Sequence, residues 1–292
     1  MNFFHQQVFA FKSKTLKYVD FSRCESIIKI PDLSMCPNIK KLELKYCNKL
    51  VEIDDSVGRH DKLEVWDLMG CDKLETLPSC LSMKSLRSFN LSGCKSLKKF
   101  PNISQEMKSL EKLHLTETGI SELPESFGNL TGIIVLELEN MTGQLHLPDS
   151  IYNLQRLYYL YLRGDFTFLK DEEPLCNSYG GVSKYVFRKL RGLYLSGSSN
   201  LSEMDFILNY CCPPTLEALY IAESNIVTRP NGIDRFQSLV VLQIGNCYEL
   251  QEIPRLPPSV RHVSTQTSEI FVQVSLIVIK KQFLLPSQIL VD

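Results

Sequence analysis

The sequence is poor in the features that mark a chain for nucleic-acid, membrane or cofactor work. Its 32 Lys and Arg stand against 33 Asp and Glu, a net charge of −1. Neither a polyanion nor an anionic membrane is offered a surface of one sign. No long hydrophobic run is present. The longest late apolar stretch, IFVQVSLIVI (270–279), is about half a membrane span and is interrupted by Gln273 and Ser275. The opening, MNFFHQQVFAFKSK, lacks the basic-then-apolar order of a signal peptide. The ten cysteines are therefore expected reduced. No GxxxxGKS/T loop is there to cradle a nucleotide phosphate. No CxxC or Cys/His cluster offers metal spacing. His5, His60, His114, His146 and His262 are scattered, with no nucleophile-and-base pattern. These gaps point away from an enzyme, a cofactor and a metal.

What is present is a repeat. The phrase LxxLxL, with conservative swaps, opens at Leu16, Ile39, Leu63, Leu86, Leu110, Ile133, Leu157, Leu190, Leu216 and Leu239. Most steps are 23 or 24 residues; those from Leu157 and Leu190 are longer. The fourth and sixth positions alternate with polar neighbours, the period of a short strand with one buried face. Ten in-phase copies at this period predict an α/β leucine-rich repeat solenoid. Its expected parallel sheet lines the concave face, and short helices or turns the convex one. One repeat cannot bury its apolar row alone, so neighbours stack and share a sheet. Ten strands at about 4.8 Å each run roughly 45 Å along it. The repeats are expected to fill residues 16–263, with an irregular long repeat at 157–189. Residues 1–15 read as an N-terminal cap or the stub of a neighbour, and 264–292 as a tail of uncertain role.

The ninth position holds Cys24, Cys47, Cys71, Cys94 and Cys247. A small residue that packs well and makes a weak hydrogen bond suits the corner where the chain leaves the strand. A structural ladder of free thiols is expected. Cys211 and Cys212 precede a Pro-Pro pair and are read as incidental loop residues. After the corner the repeats take two forms. One reads CDKLETLP or CKSLKKFP; the other, one residue shorter, reads TGISELP and continues ESFGNL. Proline there fixes φ for an outer turn.

These two alternating forms resemble the leucine-rich repeats of plant intracellular disease-resistance receptors of the class with a Toll/interleukin-1-receptor-type domain and a nucleotide-binding switch. The inserted segment after Phe168 is similar to that family as well. The resemblance covers about 16–263 and implies a cytosolic or nuclear immune receptor. Its repeats would sense a pathogen effector or a modified host protein, and restrain the nucleotide-binding domain. The signalling and nucleotide-binding domains have no counterpart in this sequence. Two other classes share parts of the pattern. F-box-linked adaptors place cysteine at position nine, and GTPase or phosphatase scaffolds carry LPxxΦxxL.

On such a strand the third, fifth and seventh residues face the concave side. There the candidates for binding a protein partner are Tyr159, Tyr161, Tyr194, Tyr220, His114, Glu137 and Arg163. Exposed tyrosines bring contact area at low entropic cost. Asp20, Glu43 and Asp67, with Lys41 and Lys45, are expected to form a solvated mixed-charge face. The second candidate is the insertion carrying Asp171, Glu172, Glu173 and Tyr179, since long loops in regular solenoids often carry function. Five N-x-S/T sequons, at Asn90, Asn102, Asn129, Asn140 and Asn200, are read as chance matches in a Ser- and Thr-rich repeat. Titrating the denatured chain with a thiol reagent, without reductant, should find nearly all ten cysteines free. Recovery of several as disulfides would reverse the reading of a reducing environment.

Overall fold

The computed structural model describes residues 12–141, 143–168, 186–198, 200–224, 232–247 and 256–264. One parallel sheet runs through them in chain order. Its strands are β1 (Tyr18–Asp20), β2 (Lys41–Glu43), β3 (Val65–Asp67), β4 (Ser88–Asn90), β5 (Lys112–His114), β6 (Val135–Leu138), β7 (Tyr159–Arg163), β8 (Gly192–Ser196), β9 (Ala218–Ala222), β10 (Val241–Gly245) and β11 (His262–Ser264). The architecture is the leucine-rich repeat solenoid that the periodicity predicts. The eleventh strand exceeds the ten starts read from sequence. Its segment, VRHVS, lacks the paired leucines that mark the others.

The register explains the repeat. Each strand pairs with the next without slippage, so residues of the same position stack across the whole sheet. The fourth-position row runs Leu42, Trp66, Phe89, Leu113, Leu136, Leu160, and each member is sealed from water. A slip by one residue would turn this row outward. Fully burying one such side chain is worth about 1.5–3 kcal/mol. The two bulkiest members, Trp66 and Phe89, lie face to face with ring centres 4.6 Å apart. Stacking adds to their area burial.

The first ten strands all end at the same left-handed corner. The eighth residue of each repeat has positive φ, for example Tyr46, Gly70, Gly93, Glu117, Gly164 and Asn246. Its N–H donates to the seventh carbonyl of the following repeat: Tyr46 to Met69 at 2.7 Å, Gly70 to Ser92 at 2.7 Å, Gly93 to Thr116 at 2.8 Å. The corner thus continues the ladder one step past the strand. Glycine suits position 70 on two counts, since it adopts the left-handed backbone without penalty and a Cβ there would sit 2.5 Å from the Tyr46 ring.

After the corner the ninth side chain turns into the core. The Cys47 thiol donates to the Phe21 carbonyl at 3.1 Å, Cys71 to Leu44 at 3.0 Å, and Cys94 to Leu68 at 3.3 Å. Each acceptor is the sixth residue of the preceding repeat, so the thiols tie consecutive repeats together. Where the ninth residue is Thr118 or Ser224, its hydroxyl bonds a carbonyl of its own repeat, Leu115 or Ala222. Cys247 likewise bonds Gly245, at 3.4 Å, and Cys24 is half-buried. All nine described cysteines are free thiols.

The convex side is built from short 3-10 turns at Val57–Arg59, Glu125–Asn129, Asp149–Asn153 and Ile233–Arg235. Glu125–Asn129 and Asp149–Asn153 follow Pro124 and Pro148, whose φ values of −70° and −71° direct the chain into the turn. One short helix, α1 (Leu201–Phe206), is capped by Asn200, whose side-chain oxygen accepts from the Ser202 and Glu203 amides. It runs on into a π-helical turn, Ile207–Cys211. Cys211 and Cys212 therefore sit at a helical end in the core, not in an exposed loop. The mistake came from the Pro-Pro pair, which ends the helix without exposing the residues before it. No helix among the described residues is long and apolar enough to cross a membrane.

Burial pushes the Cys71 thiol up to about 12, and raises Cys94 as well. Both are protonated donors at neutral pH. A folded-state value above the ordinary thiol range means full stability below that range. Stability is then lost as pH rises from about 9 towards 12, at roughly 1.4 kcal/mol per pH unit per group. Urea unfolding under reductant should show Cys71→Ala weaker than the parent at pH 8, by about 1 kcal/mol for the lost hydrogen bond. The gap should narrow at pH 10. A gap independent of pH would mean that the thiol proton is not part of the folded state.

Candidate protein-binding surface

The inner face is organised by its fifth-position row: Asp20, Glu43, Asp67, Asn90, His114, Glu137, Tyr161, Tyr194, Tyr220, Gln243 and Ser264, one per strand. In the early repeats these residues shape the corner. The side-chain oxygens of Asp20, Asp67 and Asn90 accept from backbone N–H groups two residues on, Ser22 at 2.8 Å, Met69 at 3.0 Å and Ser92 at 3.0 Å. Such Asx turns compete with further strand pairing and end the strand. Hydrogen bonds from Ser22, side chain then backbone, hold the Asp20 carboxyl below its ordinary value.

Charges in this half answer one another. Lys45 lies 3.0 Å from Glu43 and 3.5 Å from Asp67, and Lys41 lies 2.9 Å from Glu43. Partial burial raises the Glu43 value, but hydrogen bonds from Lys41 and Lys45 outweigh it and bring it down. The second and third repeats thus pair their charges across the face, each pair worth at most about 1 kcal/mol where water reaches it. In the next repeats His114 Nδ1 stands 2.6 Å from a Glu137 carboxylate oxygen. These two residues neighbour each other in the row, and both are half-buried.

The later half differs from the reading made on sequence. Tyr161, Tyr194 and Tyr220 stack ring on ring, with centres 4.1 Å and 4.4 Å apart and planes within 11°. Tyr161 is half-exposed, but Tyr194 and Tyr220 retain only 4% and 2% of their surface, and Tyr159 only 2%. Tyr159, Tyr194 and Tyr220 are therefore buried rather than exposed anchors. They form a second apolar cluster, separate from the core, with Val135, Tyr158, Ala218 and Val241 against it. Strand alternation correctly placed them on the inner face; it could not show that in-register rings cover one another. Gly192 makes room for the cluster, because a Cβ there would meet the Tyr159 ring at 2.6 Å. Burial raises the Tyr159 and Tyr220 hydroxyls above the usual phenol range. Across the rim of this cluster, Arg163 reaches Glu223 at 2.7 Å, spanning the intervening repeat. Asp171, Glu172, Glu173 and Tyr179 lie outside the described residues.

Residues 81–277 match the family model described as disease resistance protein RPS4B-like, leucine-rich repeats. The chain belongs to the leucine-rich repeats of plant disease resistance proteins. Among its relatives, the SUPPRESSOR OF npr1-1, CONSTITUTIVE 1 protein of Arabidopsis thaliana is 31% identical over 209 residues, covering 68% of this chain and 13% of that protein. The TMV resistance protein N of Nicotiana glutinosa is 25% identical over 293 residues, covering 85% and 25%. The chain thus spans between 13% and 25% of the length of these two relatives. A solved leucine-rich repeat protein of Leptospira interrogans aligns with a TM-score of 0.47 at 19% identity, covering 82% of this chain and 63% of that one.

Membership of this disease-resistance family supports a protein-interaction role in plant defence, and the described geometry has the parts for one. Polar side chains stand on a rigid sheet from β2 to β7, and no group of three or more His, Cys, Asp or Glu among the described residues is placed to hold a metal. The sequon asparagines have structural work: Asn102 accepts from the Ser126 hydroxyl at 3.3 Å and Asn140 takes the left-handed corner. Asn90 closes a turn, Asn129 donates to the Ile103 carbonyl at 2.9 Å, and Asn200 caps α1. Sequence reading missed the left-handed eighth position, although Gly70, Gly93, Gly164 and Gly197 recur there. It also missed Ser264 as a member of the row.

Replacing Gly192 by Val should displace the Tyr159 ring and cost about 1–3 kcal/mol through overpacking. Near-UV circular dichroism should lose part of its tyrosine signal while far-UV spectra stay intact. An unchanged near-UV spectrum would show that the ring does not lean on this glycine.

Proposed function

We propose that this chain is the non-catalytic recognition segment of a plant intracellular immune receptor, acting in the cytoplasm or nucleus. Its inner face would bind a pathogen effector or the host protein that the effector modifies. Where the rest of such a receptor is present, the repeats would restrain its nucleotide-binding domain until that contact forms. The supporting observation is the in-register row of side chains on a rigid sheet, within a family named for disease resistance. The row changes from charged pairs to aromatic rings between Glu137 and Tyr161. At that change a partner would find polar contacts from His114, Glu137 and Arg163 beside the half-exposed Tyr161. The buried Tyr159, Tyr194 and Tyr220 stiffen this surface from beside and below. The insertion with Asp171, Glu172, Glu173 and Tyr179 departs from the same repeat as Tyr161, and we assign it a flanking role.

A genetically encoded photo-crosslinker at His114 or Tyr161 tests the reading, with Glu125 on the outer turn as control. The chain would be expressed in leaves with and without a pathogen effector. Effector-dependent adducts should form from the two inner positions and not from Glu125. Equal labelling from all three positions would end the assignment of the inner face.

A further inference from the structure

The carboxylates of the inner face have partners of their own, up to Glu139. Asp20 accepts from Ser22, Glu43 meets Lys41 and Lys45, Asp67 meets Lys45, and Glu137 meets His114. Glu139 stands two residues beyond Glu137, in the seventh-position row, between Thr116 and Arg163. Its backbone carbonyl is engaged, accepting from the Glu117 N–H at 2.8 Å, which fixes the residue at the corner. Its carboxylate is half-buried and makes no hydrogen bond or ion pair among the described residues. Burial, and then the Glu137 charge, raise this carboxyl above its ordinary value, with Arg163 acting the other way. Arg163 is itself held by Glu223, at 2.7 Å. A partly desolvated carboxylate beside a like charge, with no donor of its own, is a cost to the fold. A cation brought from outside would remove that cost.

We propose that Glu139 sets the specificity of the inner face, and that the protein partner presents an arginine to it, the guanidinium lying between Glu139 and the Tyr161 ring. This rests on the inner face being the docking face and names what the partner brings to it. Charge favours a basic group here. Glu43 and Asp67 balance Lys41 and Lys45 in the early repeats, whereas Glu137, Glu139 and Glu223 surround the single guanidinium of Arg163. An acidic partner group would be repelled at this point. The neighbouring ring favours arginine over lysine. Tyr161 stands half-exposed, one strand across from Glu137. By strand spacing and rise its backbone is roughly 8 Å from that of Glu139, close enough for one group to touch both side chains. A planar guanidinium pairs with a carboxylate through two N–H groups and lies flat against an aromatic ring; an ammonium does neither as well.

The probe is a random peptide library displayed on phage and panned on the immobilised full chain at pH 7. Peptides released by free chain should be enriched in arginine. The strongest binder would then be made with its arginine replaced by citrulline, which keeps the shape and removes the charge. Against the parent chain that change should weaken binding at least about tenfold. Glu139→Gln should bind the arginine peptide as weakly as the parent binds the citrulline one, and should no longer tell the two apart. Glu125→Gln, on the outer turn, removes the same charge and should bind like the parent. Equal losses in both variants would reduce the effect to overall charge and overturn the proposal. So would a library without arginine enrichment, one enriched in lysine instead, or an arginine preference that survives Glu139→Gln. The free chain gives a second measurement. Its Tm at pH 7 should not fall in Glu139→Gln, because an unanswered charge is removed; a clear drop would show that the carboxylate already has a partner in the fold. No effector enters these measurements. Arginine selectivity without effector adducts at His114 or Tyr161 would end the receptor reading alone, and adducts without arginine selectivity would end this contact alone.

Discussion

The structure depends on register. Parallel strands joined by repeats of nearly constant length pair without slippage, so each residue meets its own kind in the next repeat. That arrangement turns small preferences into rows. Leucines become a continuous core, thiols a chain of cross-repeat bonds, and Asp or Asn a line of turn-closing acceptors. It also makes each repeat depend on its neighbours, because no single one encloses its own apolar side. Register is held at both ends of the strand, by the buried fourth and sixth positions and by the left-handed corner that extends the ladder.

The corner shows how the repeat tolerates sequence change. Only some repeats spend a glycine or asparagine at the eighth position; Arg23, Tyr46, Glu117 and Glu223 adopt the same left-handed backbone without that help. The hydrogen bond to the next repeat and the burial of the ninth side chain outweigh a local penalty of order 1 kcal/mol. The cysteines belong to this same device. A buried thiol is small, apolar and still able to donate, and burial keeps its proton in place. At Thr118 and Ser224 a hydroxyl takes over by bonding within its own repeat, so the corner holds there without a thiol.

Stacking also divides the inner face in two. Charged residues in the early repeats are long enough to reach across to the next strand and neutralise one another, as Lys45 does with Glu43 and Asp67. They stay in contact with water. Aromatic residues in the later repeats have flat faces at a spacing close to that of the strands, so they close upon themselves. A partner meeting this surface encounters solvated polar groups on one side and a packed aromatic floor on the other. Tyr161 stands at the boundary, half-exposed, with one face on Tyr194.

Much of this was legible beforehand, and for a specific reason. Alternation over six residues, repeated ten times, determines which side chains point inward and which neighbours they meet, because strand geometry has a period of two and the repeat length sets the stacking. The solenoid, the parallel sheet, the fifth-position row and the placing of the cysteines at a corner all follow from that. Exposure does not. Whether Tyr194 is an open anchor or a buried ring depends on what packs against it, and the two rings that stack on it stand 26 and 33 residues away in the chain. The eleventh strand escaped notice for a related reason, since β10 supplies the pairing that Val263 and its neighbours do not announce. The sequence by itself determined direction, and the tertiary structure decided access, because direction is a property of the local backbone and access is a property of everything packed around it.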